Sequence, residues 1–151
     1  MLMKNIWTNI MYTKFKYKKL FERVITMNFD ELYDIAKNTL DPRELSKNSY
    51  AGSVAAAILS ESGKVYTGVC IDTPCSMGFC AEHAAIAAMI TAGENRITKV
   101  IAVYEDGTII PPCGRCREFI CQIHDENYKC EVMIKKDVVL TINDLLPSRW
   151  E

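Results

Sequence analysis

No stretch of this chain approaches the roughly 18 apolar residues of a membrane span, so no helix in it is expected to cross a bilayer. Its start lacks a long apolar run followed by a small-residue cleavage site, which argues against a secretory leader. Charge of either sign is not in excess. The formal net charge is -1, which shows no whole-chain bias toward nucleic acid or membrane. There is no internal repeat and no low-complexity segment. What is present is 151 residues, 49% apolar and 25% charged, the balance of an ordinary soluble domain with enough length to bury a core.

Charge is unevenly spread. Residues 1-27 carry Lys4, Lys14, Lys16, Lys18, Lys19 and Arg23 against Glu22, a net of +5, so the rest of the chain carries -6. An acidic body does not grip a phosphate backbone, where Lys and Arg supply most of the affinity. Residues 1-27 read as a basic extension, expected to be poorly ordered, or absent from the native product if translation starts at Met27. A basic amphipathic helix touching a membrane or a partner is the alternative. Residues 28-151 read as a self-sufficient domain. Seven cysteines, an odd number, with no secretory signal, suggest a cytoplasmic protein whose thiols are reduced and available for metal.

From Asn28 the pattern sharpens. Phe29, Leu32, Tyr33, Ile35, Ala36 and Leu40 recur at helical spacing, with Asn28 as cap and Glu31 three residues on. Asp41-Pro42 ends that helix, and residues 43-52 read as a polar connection. Ser53 to Ser60 and Val65 to Ile71 read as two strands of a hairpin around the Glu61-Lys64 turn. A loop, Asp72 to Gly78, leads to an alanine-rich helix from about Cys80 to Ala92, stopped by Gly93. That helix is apolar nearly all round, which implies burial. Lys99 to Tyr104 reads as an interior strand. Pro111-Pro112 introduces a helix through about His124, Cys130 to Lys135 is a fourth strand, and a last strand is expected before the short helix that Thr141 caps. This order predicts a three-layer α/β/α sandwich around a mixed sheet of about five strands.

The chemistry concentrates in Cys80-Ala81-Glu82 and, 33 residues later, Pro112-Cys113-Gly114-Arg115-Cys116. A catalytic zinc takes three protein ligands and leaves its fourth position open; Cys80, Cys113 and Cys116 are the candidates. Cys113 and Cys116 sit at i and i+3, on one side of a helix. Cys80 opens another helix, where the dipole favours a thiolate. Glu82 is too close to Cys80 to be a comfortable fourth ligand and is placed to handle protons. Three thiolates leave a net negative charge on the site, which Arg117 is expected to offset by donating to sulfur; Arg115 reads as that or as a solvated helix residue. The competing interpretation is a closed structural zinc knot, with Cys70, Cys75 or His83 recruited as fourth ligand. Against it stands Glu82, a charge that is costly to bury without a task. His83 is expected to pack or hydrogen-bond, and His124 to lie at the surface or cap a helix.

On these residues the chain resembles the cytidine deaminase family, from about residue 29 to residue 147. Tyr66-Thr67-Gly68-Val69 and Leu145-Leu146-Pro147 add to the likeness. Cys80, where many relatives have His, is similar to the small three-cysteine branch, which includes cytidine and blasticidin S deaminases. The resemblance implies a homo-oligomer (tetramer or dimer) and hydrolytic deamination at C4 of a free cytosine nucleoside, with Zn2+ as cofactor and Glu82 as proton shuttle. It implies a base framed around Ala81 and Pro112. It does not extend to the residues that read the substrate. Where the family has Asn-x-Glu for the ribose, this chain has Cys70-Ile71-Asp72, so Cys70 and Asp72 are the candidates only if one residue is skipped. The family's Phe-x-Val-Gly-Ala-Ala strand reads Gly52-Ser53-Val54-Ala55-Ala56-Ala57, without the Phe. A modified cytosine nucleoside such as blasticidin S is therefore the alternative substrate, and a non-catalytic zinc-stabilised binding protein the alternative of another class.

Overall fold

The computed structural model describes residues 27–150; the expected basic extension lies outside them, apart from Met27. The chain forms helices α1 (Phe29–Thr39), α2 (Ala81–Thr91), α3 (Gly114–Gln122) and the one-turn α4 (Ile142–Leu145). The strands are β1 (Arg43–Ser46), β2 (Ser49–Ser60), β3 (Val65–Asp72), β4 (Ile97–Tyr104), β5 (Ile109–Ile110), β6 (Glu131–Lys135) and β7 (Val138–Thr141). Two helix starts follow local rules. Asn28 accepts from Glu31 N at 2.9 Å while its own N–H donates to the Glu31 carboxylate at 3.0 Å, and Thr141 and Asp144 make the same reciprocal cap on α4.

The body of the sheet runs β3-β2-β4-β6-β7, with β4 and β6 parallel and the other neighbours antiparallel. The order of elements leads one to expect a mixed sheet of about five strands; these five are the body of a mixed sheet of seven. Two short ribbons extend it: β1 pairs with the first residues of β2, and β5 pairs with Ala102 and Val103 of β4. The expected polar connection over 43-52 is thus a strand, a tight turn and the start of β2. Every residue of β1 is exposed, so no alternation of apolar and polar residues marks it.

Alternation along the central strands divides the interior in two. Ala56, Ile58, Val100, Ala102 and Val132 face α2, α3 and α4, whereas Ala57, Leu59, Ile101, Val103 and Met133 face α1 through Leu32 and Ala36. The result is three layers. Truncating a fully buried member such as Ile86 or Ile101 to Ala would cost about 2–5 kcal/mol. Helix α2 is less buried than its composition suggests. Ala81, Ala85, Ile86 and Met89 are buried, but Ala87 and Ala88 are exposed and Ile90 is 45% exposed. Alanine scores as apolar yet has little surface to hide, so an alanine-rich helix can show one side to water. Gly68 lets α2 lie directly on β3: a Cβ there would stand 2.4 Å from Ala85 N and 2.8 Å from Ala81 O.

Candidate metal centre and active site

Two helix starts meet above the β2–β3 end of the sheet. Cys80 is the N-cap of α2 and Cys113 the N-cap of α3, so their sulfurs lie where unpaired backbone N–H groups favour negative charge. Cys116, one turn into α3, is buried. Cys80 Sγ is 3.7 Å from Cys113 Sγ, and Cys113 Sγ is 3.5 Å from Cys116 Sγ. These three, and no fourth His, Cys, Asp or Glu among the described residues, form a cluster that could hold an ion.

The donor set fits zinc. Tetrahedral ligands at about 2.3 Å put sulfurs about 3.8 Å apart, and separations of 3.7 and 3.5 Å are close to that. The chemistry agrees. Burial, the Glu82 charge and its sulfur neighbours push the Cys116 thiol far above the ordinary range, and burial raises Cys80. Burial also acts against Cys113, but hydrogen bonds from the Cys116 backbone and sulfur outweigh it and hold that thiol below its usual value. Three such sulfurs become anionic together only around a cation. Cys70 and Cys75, candidates for a closing fourth ligand, stand outside the cluster, and all seven cysteines are free of disulfides.

His83 packs and hydrogen-bonds, as expected, whereas Arg117 does not donate to sulfur as expected. His83 Nδ1 lies 3.4 Å from Cys116 Sγ, and its ring stacks on Phe119 with centroids 4.7 Å apart and planes 12° apart. Burial and the nearby Arg115 charge lower its pKa, which favours the neutral ring; its Nδ1–H tautomer would donate to the sulfur. Arg117, expected to do this, instead donates from Nε to Pro112 O at 2.8 Å and from Nη1 to Leu145 O at 2.9 Å. It ties the turn before Cys113 to the end of α4. The carbonyls win because Arg117 starts one residue past Cys116, on a different side of α3.

Beside the sulfurs opens a cavity of about 440 Å³. Glu82 lines it, 4% exposed, and burial pushes its carboxyl up. Its own backbone N–H and the Cys116 thiol only partly offset that burial, and no charged donor pins the carboxyl, which suits it to exchange protons with whatever fills the cavity. Cys70, Asp72 and Ala81 line the same space. Pro112, expected to frame it, is buried outside the lining, and Ile110 and Pro111 stand there instead. The turn presents the preceding residues because Arg117 draws the Pro112 carbonyl back toward α4.

The wall opposite the sulfurs is built by an irregularity in β2. Gly52 is left-handed with φ 85°, the β2–β3 register shifts between Ala51 and Ala55, and Val54 N–H donates to Cys70 Sγ at 3.3 Å. Ser53 Oγ lies 3.2 Å from the same sulfur, and Cys70 donates weakly to Asp72 Oδ2 at 3.7 Å. Beyond Asp72 the loop is pinched shut: Ile71 and Phe79 exchange backbone hydrogen bonds of 3.0 and 2.9 Å. Inside it Cys75 and Ser76 both take positive φ, 58° and 57°, a strained backbone of the kind found at working sites. Thr73 Oγ1 is buried in this wall without a partner among the described residues, a polar atom left for a ligand to satisfy. Phe79, from the residue before Cys80, supplies an aromatic side chain to the cavity. Gly52–Ala57 carries no aromatic residue, and the sequence signal for Phe79 is its adjacency to the first sulfur.

Comparisons with known proteins agree with this geometry. Residues 30–132 match the family described as the cytidine and deoxycytidylate deaminase zinc-binding region. A cytidine deaminase of Mycobacterium tuberculosis is 32% identical over 100 residues, covering 65% of this chain and 72% of that protein. A blasticidin-S deaminase of Bacillus cereus is 29% identical over 106 residues, covering 64% of this chain and 76% of that protein. Among solved structures, a cytidine deaminase from Mycobacterium leprae superposes with a TM-score of 0.68 at 27% identity, covering 81% of this chain and 99% of that one.

Proposed function

This chain belongs to the family of enzymes defined by the cytidine and deoxycytidylate deaminase zinc-binding region, and from that premise we propose that it deaminates a free cytosine nucleoside by hydrolysis. Cytidine or deoxycytidine plus water would give uridine or deoxyuridine plus ammonia. The observation that carries this reading is the buried Glu82 carboxyl, raised by burial and paired with no cation, in the cavity beside three convergent sulfurs. Cys80, Cys113 and Cys116 would hold zinc, which when bound would supply Lewis acidity for water addition at C4.

The rest is done by the chain. Glu82 accepts a proton from the attacking water, gives it to ring N3, and carries the second proton to the departing amine. His83 and the two helix starts temper the charge on the sulfurs. Arg117 holds the Pro112 turn and so positions Cys113. Phe79, Ala81 and Pro111 enclose the ring, and Asp72, Thr73 and the Ser53–Cys70 pair are the groups available to sugar hydroxyls.

A second substrate, a modified cytosine nucleoside of the blasticidin S kind, is favoured by one observation. A thiol at Cys70 and the shorter acid Asp72 stand in the wall where the resemblance leads one to expect an amide and a Glu. Met77, 77% exposed, and Phe79, 37% exposed, stand at and beside the mouth of the cavity, which supports a homo-oligomer, tetramer or dimer, that covers them. Ammonia release from cytidine, deoxycytidine and blasticidin S, measured side by side, tests the function. We expect turnover of at least one. Zinc at one ion per chain with no turnover of any would instead favour a zinc-stabilised binding protein.

A further inference from the structure

The two residues of β5 are a partition. Ile110 faces the reaction cavity, and Ile109 faces a second cavity of about 410 Å³ on the opposite side of the sheet. The two spaces are close in size, and both fall in the range of small-molecule sites. The second cavity has an apolar floor, Ile109 with Met133 at 8% exposure, and an aromatic wall, Tyr33. That wall is fixed: the Tyr33 hydroxyl donates to Gly107 O at 2.9 Å. The rim is charged. Lys135 ends β6 and Lys136 opens the turn to β7, and Asp30 and Asp137 line the same space. Lys37 adds a third cation, its Nζ 5.7 Å from the centre of the Tyr33 ring. Among the described residues none of these three lysines is in an ion pair.

We propose that this cavity binds an aromatic anion of mononucleotide size, and that its occupancy is felt at the reaction cavity through β5. A flat ring fits between Tyr33 and the Ile109–Met133 floor, where offset contact with an aromatic adds to the apolar burial. The lysines take the anionic group, and the two carboxylates accept from hydroxyls. The coupling is short. Ile109 and Ile110 are consecutive on one strand, and Pro111 and Cys113 follow directly. A ligand pressing on Ile109 therefore acts on the turn that carries one of the three sulfurs. Any such effect is reciprocal: filling the reaction cavity must alter the affinity of the second one by the same factor.

The test uses the full chain, carrying 13C-methyl methionine, titrated with uridine 5′-monophosphate. The Met133 methyl signal is expected to shift saturably with Kd below about 1 mM, with uridine alone giving a far weaker response. A Lys135→Ala/Lys136→Ala double variant is expected to weaken binding at least about fivefold, since two exposed ion pairs are lost, and added salt should weaken it further. Saturating uridine should leave the Met133 response saturable. The nucleotide should change kcat/KM for cytidine at least about twofold. A still Met133 signal, equal affinity in the double variant, or full displacement by uridine would overturn the site. Binding with unchanged cytidine kinetics would overturn the coupling. The binding arm is read without turnover, so a chain that deaminated nothing would tell against the function proposed above while the Met133 titration still decided this site.

Discussion

Helix α2 has a carboxylate near each end, and the two live opposite lives. Glu94, just past Gly93, is saturated with donors: Ser62 Oγ at 2.7 Å, Lys64 Nζ at 2.8 Å and Tyr66 Oη at 2.9 Å. Hydrogen bonding by Lys64, with the serines and Tyr66, holds it at about 2. Glu82, in the first turn, is buried with no such partners, and its carboxyl is pushed up. The same side chain is thus fixed as an anion just beyond one end of the helix and left without a charged donor in the first turn at the other. Donors near a carboxylate mark a structural role; their removal, together with burial, makes an acid-base group.

Breaking the end proposed to be catalytic is expected to have the largest effect. Cys116→Ser should abolish zinc retention and turnover, because a hydroxyl in that buried place cannot supply a thiolate; metal content and ammonia release measure both. Next comes His83→Leu. It keeps an apolar partner for Phe119 but removes the donor to Cys116, and should loosen zinc by roughly 10–100-fold, read by competition with a chelator. Gly68→Ala attacks the link between the two ends. Its Cβ would force α2 off β3 near Ala81, so we expect a loss of about 1–3 kcal/mol in stability and a fall in kcat, measured by urea unfolding and turnover.

The smallest effect should come from the structural end. The Glu94 pKa is depressed from 4.5 to about 2. Its contribution to stability is therefore present above pH 4.5 and lost as pH falls toward 2, because protons then bind the unfolded chain first. Glu94→Gln should flatten that part of the acid unfolding curve. Near neutral pH the change should be at most about 1 kcal/mol, since Lys64 is 66% exposed, and turnover should not move. A loss of activity comparable to that of the Glu82 end would erase the contrast.

Much of this was legible in the sequence because it obeys local rules. The caps at Asn28 and Thr141 are reciprocal pairs three residues apart, and the sulfurs follow from helix starts and an i, i+3 spacing. What could not be read depends on tertiary placement. Strand β1 is exposed on every residue, so it carries no pattern. Arg117 had a choice between sulfur and carbonyl that only the packing of α4 against the Pro112 turn decides. Phe79 reaches the cavity because Ile71 and Phe79 pair across a seven-residue loop, a contact that no periodicity announces. The Ser53–Cys70–Asp72 wall depends on a bulge at Gly52, and a glycine in a strand can mean several things.

The most direct measurement is zinc content and ammonia release in one preparation of Glu82→Gln. The account predicts a folded protein with about one zinc per chain and a rate reduced by ~10²–10⁴-fold, the worth of a positioned proton transfer. Full zinc with an undiminished rate would contradict it, because the carboxyl would then be a bystander in the wall.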